Sequence, residues 1–294
     1  MPQHFADRLA TAVNAADSRV CVGLDPQPDL LPPHLREAPD VAAAAVEFCT
    51  GIIDATAEFA ACFKPQAAYF EALAPDGLAA LWEVVSYAKT AGMPVIFDCK
   101  RNDIGSTAAA YARACFGLQR QPAAAQADAV TVNAYLGSDG VRPFLEVSDE
   151  IGGGVFVLVK TSNPSSGELQ DLSTPGGPVY ETMAALVNGW AHEDGRLGAC
   201  GYSSVGAVVG ATYPEQLAAL RGLMRESILL VPGYGAQGAT AHDVAAGFDA
   251  DGLGAVVNSS RGILYAYRET GRDYKAAAAD AARAMRDEIN SVLP

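Results

Sequence analysis

Lysine and histidine are scarce in this 294-residue chain, at five and four residues, and the 20 lysines and arginines together are outnumbered by 34 aspartates and glutamates, for a formal net charge of −14. A nucleic acid wants a basic face, so such a composition argues against one as a partner. His34, His192 and His242 stand apart, without ligand spacing, and read as surface or helix residues. No H-x-x-x-H, no G-x-G-x-x-G and no carboxylate cluster of metal-site type occurs. The six cysteines include no C-x-x-C pair. Several lie in apolar runs, where cysteine behaves as a small hydrophobe, which argues against a disulfide framework or a thiolate metal site. No uncharged apolar run approaches the roughly 20 residues that span a bilayer. The opening MPQHFADRLATAVNAA mixes charged and apolar residues like an amphipathic helix, unlike the unbroken apolar stretch of a signal peptide. These absences lead to the expectation of a soluble, cytoplasmic protein with no nucleic-acid or membrane partner and no metal, flavin or nicotinamide cofactor.

What is present is a rhythm. With 50% hydrophobic residues the chain can bury one large core. Short apolar, β-branched runs alternate with alanine-rich helical stretches. The strand candidates are Val20–Leu24, Cys62–Pro65, Pro94–Lys100, Ala129–Asn133, Val155–Lys160, Val205–Gly210, Ile228–Gly233 and Gly254–Asn258. Helix candidates between and after them include Val41–Phe59, Gly77–Ala91, Ile104–Phe116, Tyr180–His192, Pro214–Arg221, Ala241–Phe248 and the tail Asp273–Leu293. Strands that are apolar throughout imply burial on both faces and hence a parallel sheet. Eight βα units without a composition break predict an α/β fold, a closed (β/α)8 TIM barrel occupying residues 1–294 as one domain. Residues 1–18, with a helix at Phe5–Ala16, are expected to cap the barrel bottom. One connection is long: the Ser-, Pro- and Gly-rich Ser162–Pro178 after the fifth strand reads as a loop at the active-site mouth and a candidate lid.

In such barrels the chemistry lies at the C-terminal ends of the strands. Three of the five lysines, Lys64, Lys100 and Lys160, fall there. Asp98 and Lys100, two apart on one strand, point to the same side. Spacing alone leaves open a structural ion pair, since a buried charge must be paired in any case. Adding Lys64 on the neighbouring strand calls for further carboxylate, and Asp103 is the candidate to supply it. An alternating Lys–Asp–Lys–Asp array would keep each ammonium charged and place both lysines before a substrate arrives. After the eighth strand, Arg261 and Gly262 offer a guanidinium fork and free backbone N–H groups to an anion.

The string DCKRNDI carries the D-x-K-x-x-D-I signature of orotidine 5′-monophosphate decarboxylases. VGLDPQP, FKPQ, KTSNP, PGYGAQG and NSSRGI follow that family's motifs in order, each at the expected strand. From about Val20 to Gly262 the chain resembles the family's longer bacterial (type 2) group, although Ala134 stands where that group more often has proline. The resemblance implies cofactor-free decarboxylation of orotidine 5′-monophosphate to uridine 5′-monophosphate in de novo pyrimidine biosynthesis, by a homodimer with shared active sites. It implies Lys100, Asp98, Lys64 and Asp103 as the catalytic set. Lys100 would stabilise and protonate the carbanion at C6, Asp98 would crowd the departing carboxylate, and Lys64 and Asp25 would hold the ribose hydroxyls and the charge network. Asp103, with Ile104 and Thr107, would reach into the partner's site. Ser162 would bind the pyrimidine, Gln237, beside Pro232, would bridge base and phosphate, and Arg261 with Gly262 would grip the phosphate.

Two other readings are open on the residues. Metal-dependent hexulose-phosphate synthases and gulonate-phosphate decarboxylases of the same superfamily share D-x-K-x-x-D, but an acidic metal ligand is expected near the place of Lys64. A non-catalytic nucleotide-binding barrel would not need the lysine–aspartate array. Arg101 should point away from Lys100, toward solvent or an interface. Lys160 shares its inward parity with Ser162 yet receives no role from the resemblance; a lysine snorkelling or paired at the barrel top is the plain expectation.

Overall fold

Each predicted strand forms, and each finds its neighbours on both sides. The computed structural model describes residues 3–73, 75–119, 126–235 and 237–293. Its barrel strands are β1 (Val20–Leu24), β2 (Cys62–Pro65), β3 (Ile96–Arg101), β4 (Ala129–Val132), β5 (Gly154–Lys160), β6 (Ser203–Val209), β7 (Ser227–Pro232) and β8 (Ala255–Ser259). All pair in parallel, in the order β2-β1-β8-β7-β6-β5-β4-β3. Parallel bridges Phe63–Val95 and Gln66–Asp98 join β2 to β3, so the ring closes. The architecture is a (β/α)8 barrel.

The surrounding helices are α2 (Val41–Thr56), α3 (Gly77–Thr90), α4 (Gly105–Phe116), α5 (Ser138–Ile151), α6 (Val179–Ala191), α7 (Pro214–Leu223), α8 (Ala241–Ala245) and α9 (Tyr274–Asn290), preceded by α1 (Phe5–Ala16). Helix α5 is missing from the elements read in the sequence. Gly137 precedes it, Gly140 lies in its first turn and Pro143 follows, all of which read as loop. Val141, Phe144 and Leu145 nonetheless recur at helical spacing and are buried. Helix α8 stops short of the expected Phe248, and β3 begins at Ile96 rather than Pro94. Among the described residues no helix is long and apolar enough to cross a membrane.

Two apolar layers result. Val22, Val130, Val157 and Val257 face outward against the helices, whereas Cys21, Cys62, Ile96, Ala129, Phe156, Leu230 and Val256 fill the interior. Phe5, Leu9 and Val13 of α1 join the interior layer from below, and the Phe5 ring meets Phe156 edge-on at 5.9 Å. Gly154 makes room for this: a Cβ there would lie 2.3 Å from the Phe5 ring. Helix α1 fills the lower end of the barrel interior and leaves the opposite rim open. All six cysteines are unpaired and five are buried.

Candidate active site

At that rim a cavity of about 790 Å³ opens over an apolar floor of Leu158, Val208 and Leu230. The volume suits a ligand the size of a nucleotide. Polar groups line the walls strand by strand: Asp25 after β1, Lys64 and Gln66 on β2, Asp98 and Lys100 on β3, Ser162 after β5, Pro232 and Gln237 by β7, and Arg261 after β8.

Its electrostatic centre is Asp98, whose carboxylate is almost fully buried. Oδ2 accepts from Lys64 Nζ at 2.7 Å and from Gln66 Nε2 at 2.9 Å. Oδ1 accepts from Lys100 Nζ at 2.6 Å and from Thr131 Oγ1 at 2.8 Å. Burial alone would push this carboxyl up, but the flanking Lys64 and Lys100 ammoniums prevail and hold it well below the usual carboxylate range. For Lys64, burial works against the charge, yet Asp98 first and Asp25 second raise it above the ordinary lysine range. Burial dominates at Asp25, whose carboxyl is pushed up despite Lys64, and whose Oδ1 has no hydrogen-bond partner. Within one chain the alternating array is therefore Asp25–Lys64–Asp98–Lys100. Asp103 of the same chain lies outside the cavity lining, and its Oδ1 accepts the Ile104 N–H at 2.8 Å. Ile104, Thr107 and Gly262 also lie outside the lining, all three exposed.

Lys100 has φ +46, and among described non-glycine residues only Asp17 shares a positive φ. Such a backbone costs a side-chain-bearing residue about 1–2 kcal/mol and persists only where neighbours impose it. Thr131 on β4 is one such neighbour: its Oγ1 accepts the Lys100 N–H at 2.9 Å while donating to Asp98. The pairing of β3 with β4 shifts register between Phe97 and Arg101, which is where this turn sits. Thr131 and Gln66 were not assigned roles from the sequence. The only hint was polarity: a threonine in the apolar run AVTVN and the glutamine of FKPQ. Tyr265 was missed as well; its Oη accepts the Gln27 N–H and donates to the Asp25 carbonyl, both at 2.8 Å, and so pins the loop after β1. Gly23 lets the end of β1 approach the residue after β8, since a Cβ there would lie 1.9 Å from Ser260 Oγ.

Arg101 turns away from Lys100 and pairs with Glu71. Lys160 corrects the parity argument. Between Leu158 and Lys160 the pairing of β5 with β6 is irregular, and the lysine leaves the inward row for a pairing with Asp171 at 2.6 Å. It does not line the cavity, whereas Ser162 does.

A family model described as "Orotidine 5′-phosphate decarboxylase / HUMPS family" matches residues 18–277. The chain is 51% identical to a curated orotidine 5′-phosphate decarboxylase of Rhodopirellula baltica, over 98% of each chain. It is 44% identical to one of Deinococcus radiodurans, over 100% of this chain and 99% of that one. Among solved structures, the Leishmania donovani OMP decarboxylase superposes with a TM-score of 0.79 at 37% identity, covering 99% of this chain and 98% of that one.

Proposed function

The chain belongs to the orotidine 5′-phosphate decarboxylase / HUMPS family, and from that membership and the charged rim we infer that it is a carboxy-lyase converting orotidine 5′-monophosphate to uridine 5′-monophosphate. The observation that carries the mechanism is Lys100, held beside a buried carboxylate in a strained backbone and presented to the cavity. As the bond from C6 to the carboxylate breaks, the electron pair stays on C6 and carbon dioxide leaves. The Lys100 ammonium stabilises that pair and then gives C6 a proton, to be regained from solvent. Asp98 meets the substrate carboxylate as a like charge, and Lys64, Gln66 and Thr131 stop it from turning away. Asp25 and Lys64 take the ribose hydroxyls, Ser162 the pyrimidine, and Gln237, beside Pro232, spans base and phosphate. Arg261 and the Gly262 N–H grip the phosphate, whose binding energy orders the Ser162–Pro178 loop over the ring.

Asp103, Ile104 and Thr107 complete the site of a second copy in a homodimer. Supporting this, Ile104 and Tyr135 expose large apolar side chains beside the rim, 55% and 74% accessible. The metal-dependent reactions of the superfamily are not favoured: curated relatives at 42–51% identity carry the decarboxylase name. Six free thiols accord with a cytoplasmic setting.

Ultraviolet absorbance with orotidine 5′-monophosphate, with and without a chelator, tests the reaction. Chelator-insensitive loss of the orotate chromophore with formation of uridine 5′-monophosphate is expected; no spectral change from folded protein would refute the assignment. For shared sites, Asp103→Ala mixed with Lys100→Ala should regain activity through heterodimers once subunit exchange is verified.

A further inference from the structure

Lys160 is the last residue of β5 and is 0% exposed, yet it has no part in the cavity. Its ammonium donates to Asp171 Oδ1 at 2.6 Å and to Ser166 Oγ at 3.2 Å. The Tyr213 and Tyr180 rings wall it in, 4.8 and 5.6 Å from their centroids. Next door, Gln170 grips Thr161 twice: Oε1 accepts the Thr161 N–H at 2.9 Å, and Nε2 donates to Thr161 Oγ1 at 2.8 Å. Residues 170–171 thus clamp residues 160–161, and the short excursion between them begins with Ser162 and Asn163, both on the cavity wall. On the strand side, the Gly210 N–H donates to the Lys160 carbonyl at 2.8 Å, and a Cβ on Gly210 would lie 2.8 Å from that of Ser162. The start of the loop is held from both sides.

Filling the space between the two tyrosine rings does not in itself require a charge. An apolar side chain of similar length would fill the box between the two tyrosines, and a buried ion pair is seldom kept for stability alone. What the ammonium does that an apolar group could not is select Asp171, and so set the path of the loop. We propose that Lys160 is a positioning residue, a buried latch that holds Asp171 and thereby aims Ser162 and Asn163 into the cavity. The proposal rests on the reading of the cavity as the nucleotide site with Ser162 on the pyrimidine.

The test uses the full-length enzyme with Asp171→Ala, which breaks the latch from its exposed side, and Lys160→Met, which fills the box. For each, KM for orotidine 5′-monophosphate should rise about tenfold with kcat changed far less, the pattern of lost uniform binding. Amide exchange across residues 161–166 should speed about tenfold in Asp171→Ala while the barrel strands keep their protection. In a Ser162→Ala background the KM effect of Asp171→Ala should shrink below about twofold, because both changes remove the same contact. Unchanged exchange at 161–166 would overturn the latch whatever the kinetics. Faster exchange with wild-type KM, or KM effects that multiply in full, would overturn the positioning role. If Ser162→Ala alone is silent, the reading of Ser162 fails, and the exchange measurement still decides the latch.

Discussion

Lys100 near the end of β3 and Lys160 at the end of β5 each meet a carboxylate at 2.6 Å, but the burial of the partners is inverted. At β3 the lysine side chain is 42% exposed and its aspartate 8%; at β5 the lysine is 0% exposed and its aspartate 42%. The first arrangement hides the anion and offers the ammonium to whatever enters the cavity. The second hides the ammonium and leaves the anion at the surface, where it can only organise protein. The same pair of residue types thus serves chemistry in one place and loop geometry in the other, and the direction of burial separates the two.

The largest effect expected from this contrast is in turnover. Lys100→Ala should lower kcat/KM by about 10²–10⁴, the usual weight of a positioned proton donor. The fold should survive, since Asp98 keeps Lys64, Gln66 and Thr131. Equal loss in Lys160→Met, read by orotate absorbance, would abolish the distinction.

Stability should divide the lysines the other way. Lys64→Met leaves a buried carboxylate short of a partner and should cost about 3 kcal/mol, or about 6–12 °C in melting temperature. Lys160→Met leaves a half-solvated aspartate and the buried Ser166 hydroxyl, which loses one long hydrogen bond, and should cost about 1–2 kcal/mol. Matching urea midpoints for the two variants would refute this. Acid adds a second reading. Asp98 is held below the usual carboxylate range, so its stabilisation is complete above its unfolded value of about 3.9 and fades as pH falls. Without Lys64 that depression shrinks, and the variant should begin to unfold at higher pH than wild type. At the alkaline end the raised Lys64 contributes fully below its unfolded value, about 10.4, and is lost as pH climbs through its folded one.

A smaller effect falls on the support of Lys100. Thr131→Val conserves shape but removes both the donor to Asp98 and the acceptor for the Lys100 N–H. About tenfold in kcat should go, roughly one net hydrogen bond to a charged group. An unchanged kcat would mean that β3 holds its turn unaided. The smallest difference is a backbone one: at φ +46, Lys100→Gly should be about 1 kcal/mol more stable than Lys100→Ala. Both variants lack the ammonium, so their denaturation curves isolate the strain.

The eight strands and the polar rim were legible in the sequence because burial on both faces writes itself as unbroken apolar runs, and polar residues at their ends have few other places to go. Asp98, Lys100, Lys64, Asp25, Ser162, Pro232, Gln237 and Arg261 reach one cavity for that reason. Helix α5 was not legible, because Pro143 and its glycines mask a pattern that only packing against the neighbouring elements confirms. Period-two parity expected Asp98 and Lys100 on the same side, where a positive-φ turn at Lys100 in fact delivers the lysine, and it misled at Lys160, where an irregularity that no local residue announces turns the chain by one position. Asp103 shows the other boundary: within one chain the second carboxylate beside Lys64 is Asp25, at the end of the strand paired with β2, and sequence separation cannot choose between the two aspartates. Composition and periodicity determined which strands form and which ends are polar, since both follow from local burial. Which charge meets which, and which lysine is hidden, was decided only by barrel closure, because those pairings depend on register between segments that the chain itself keeps far apart.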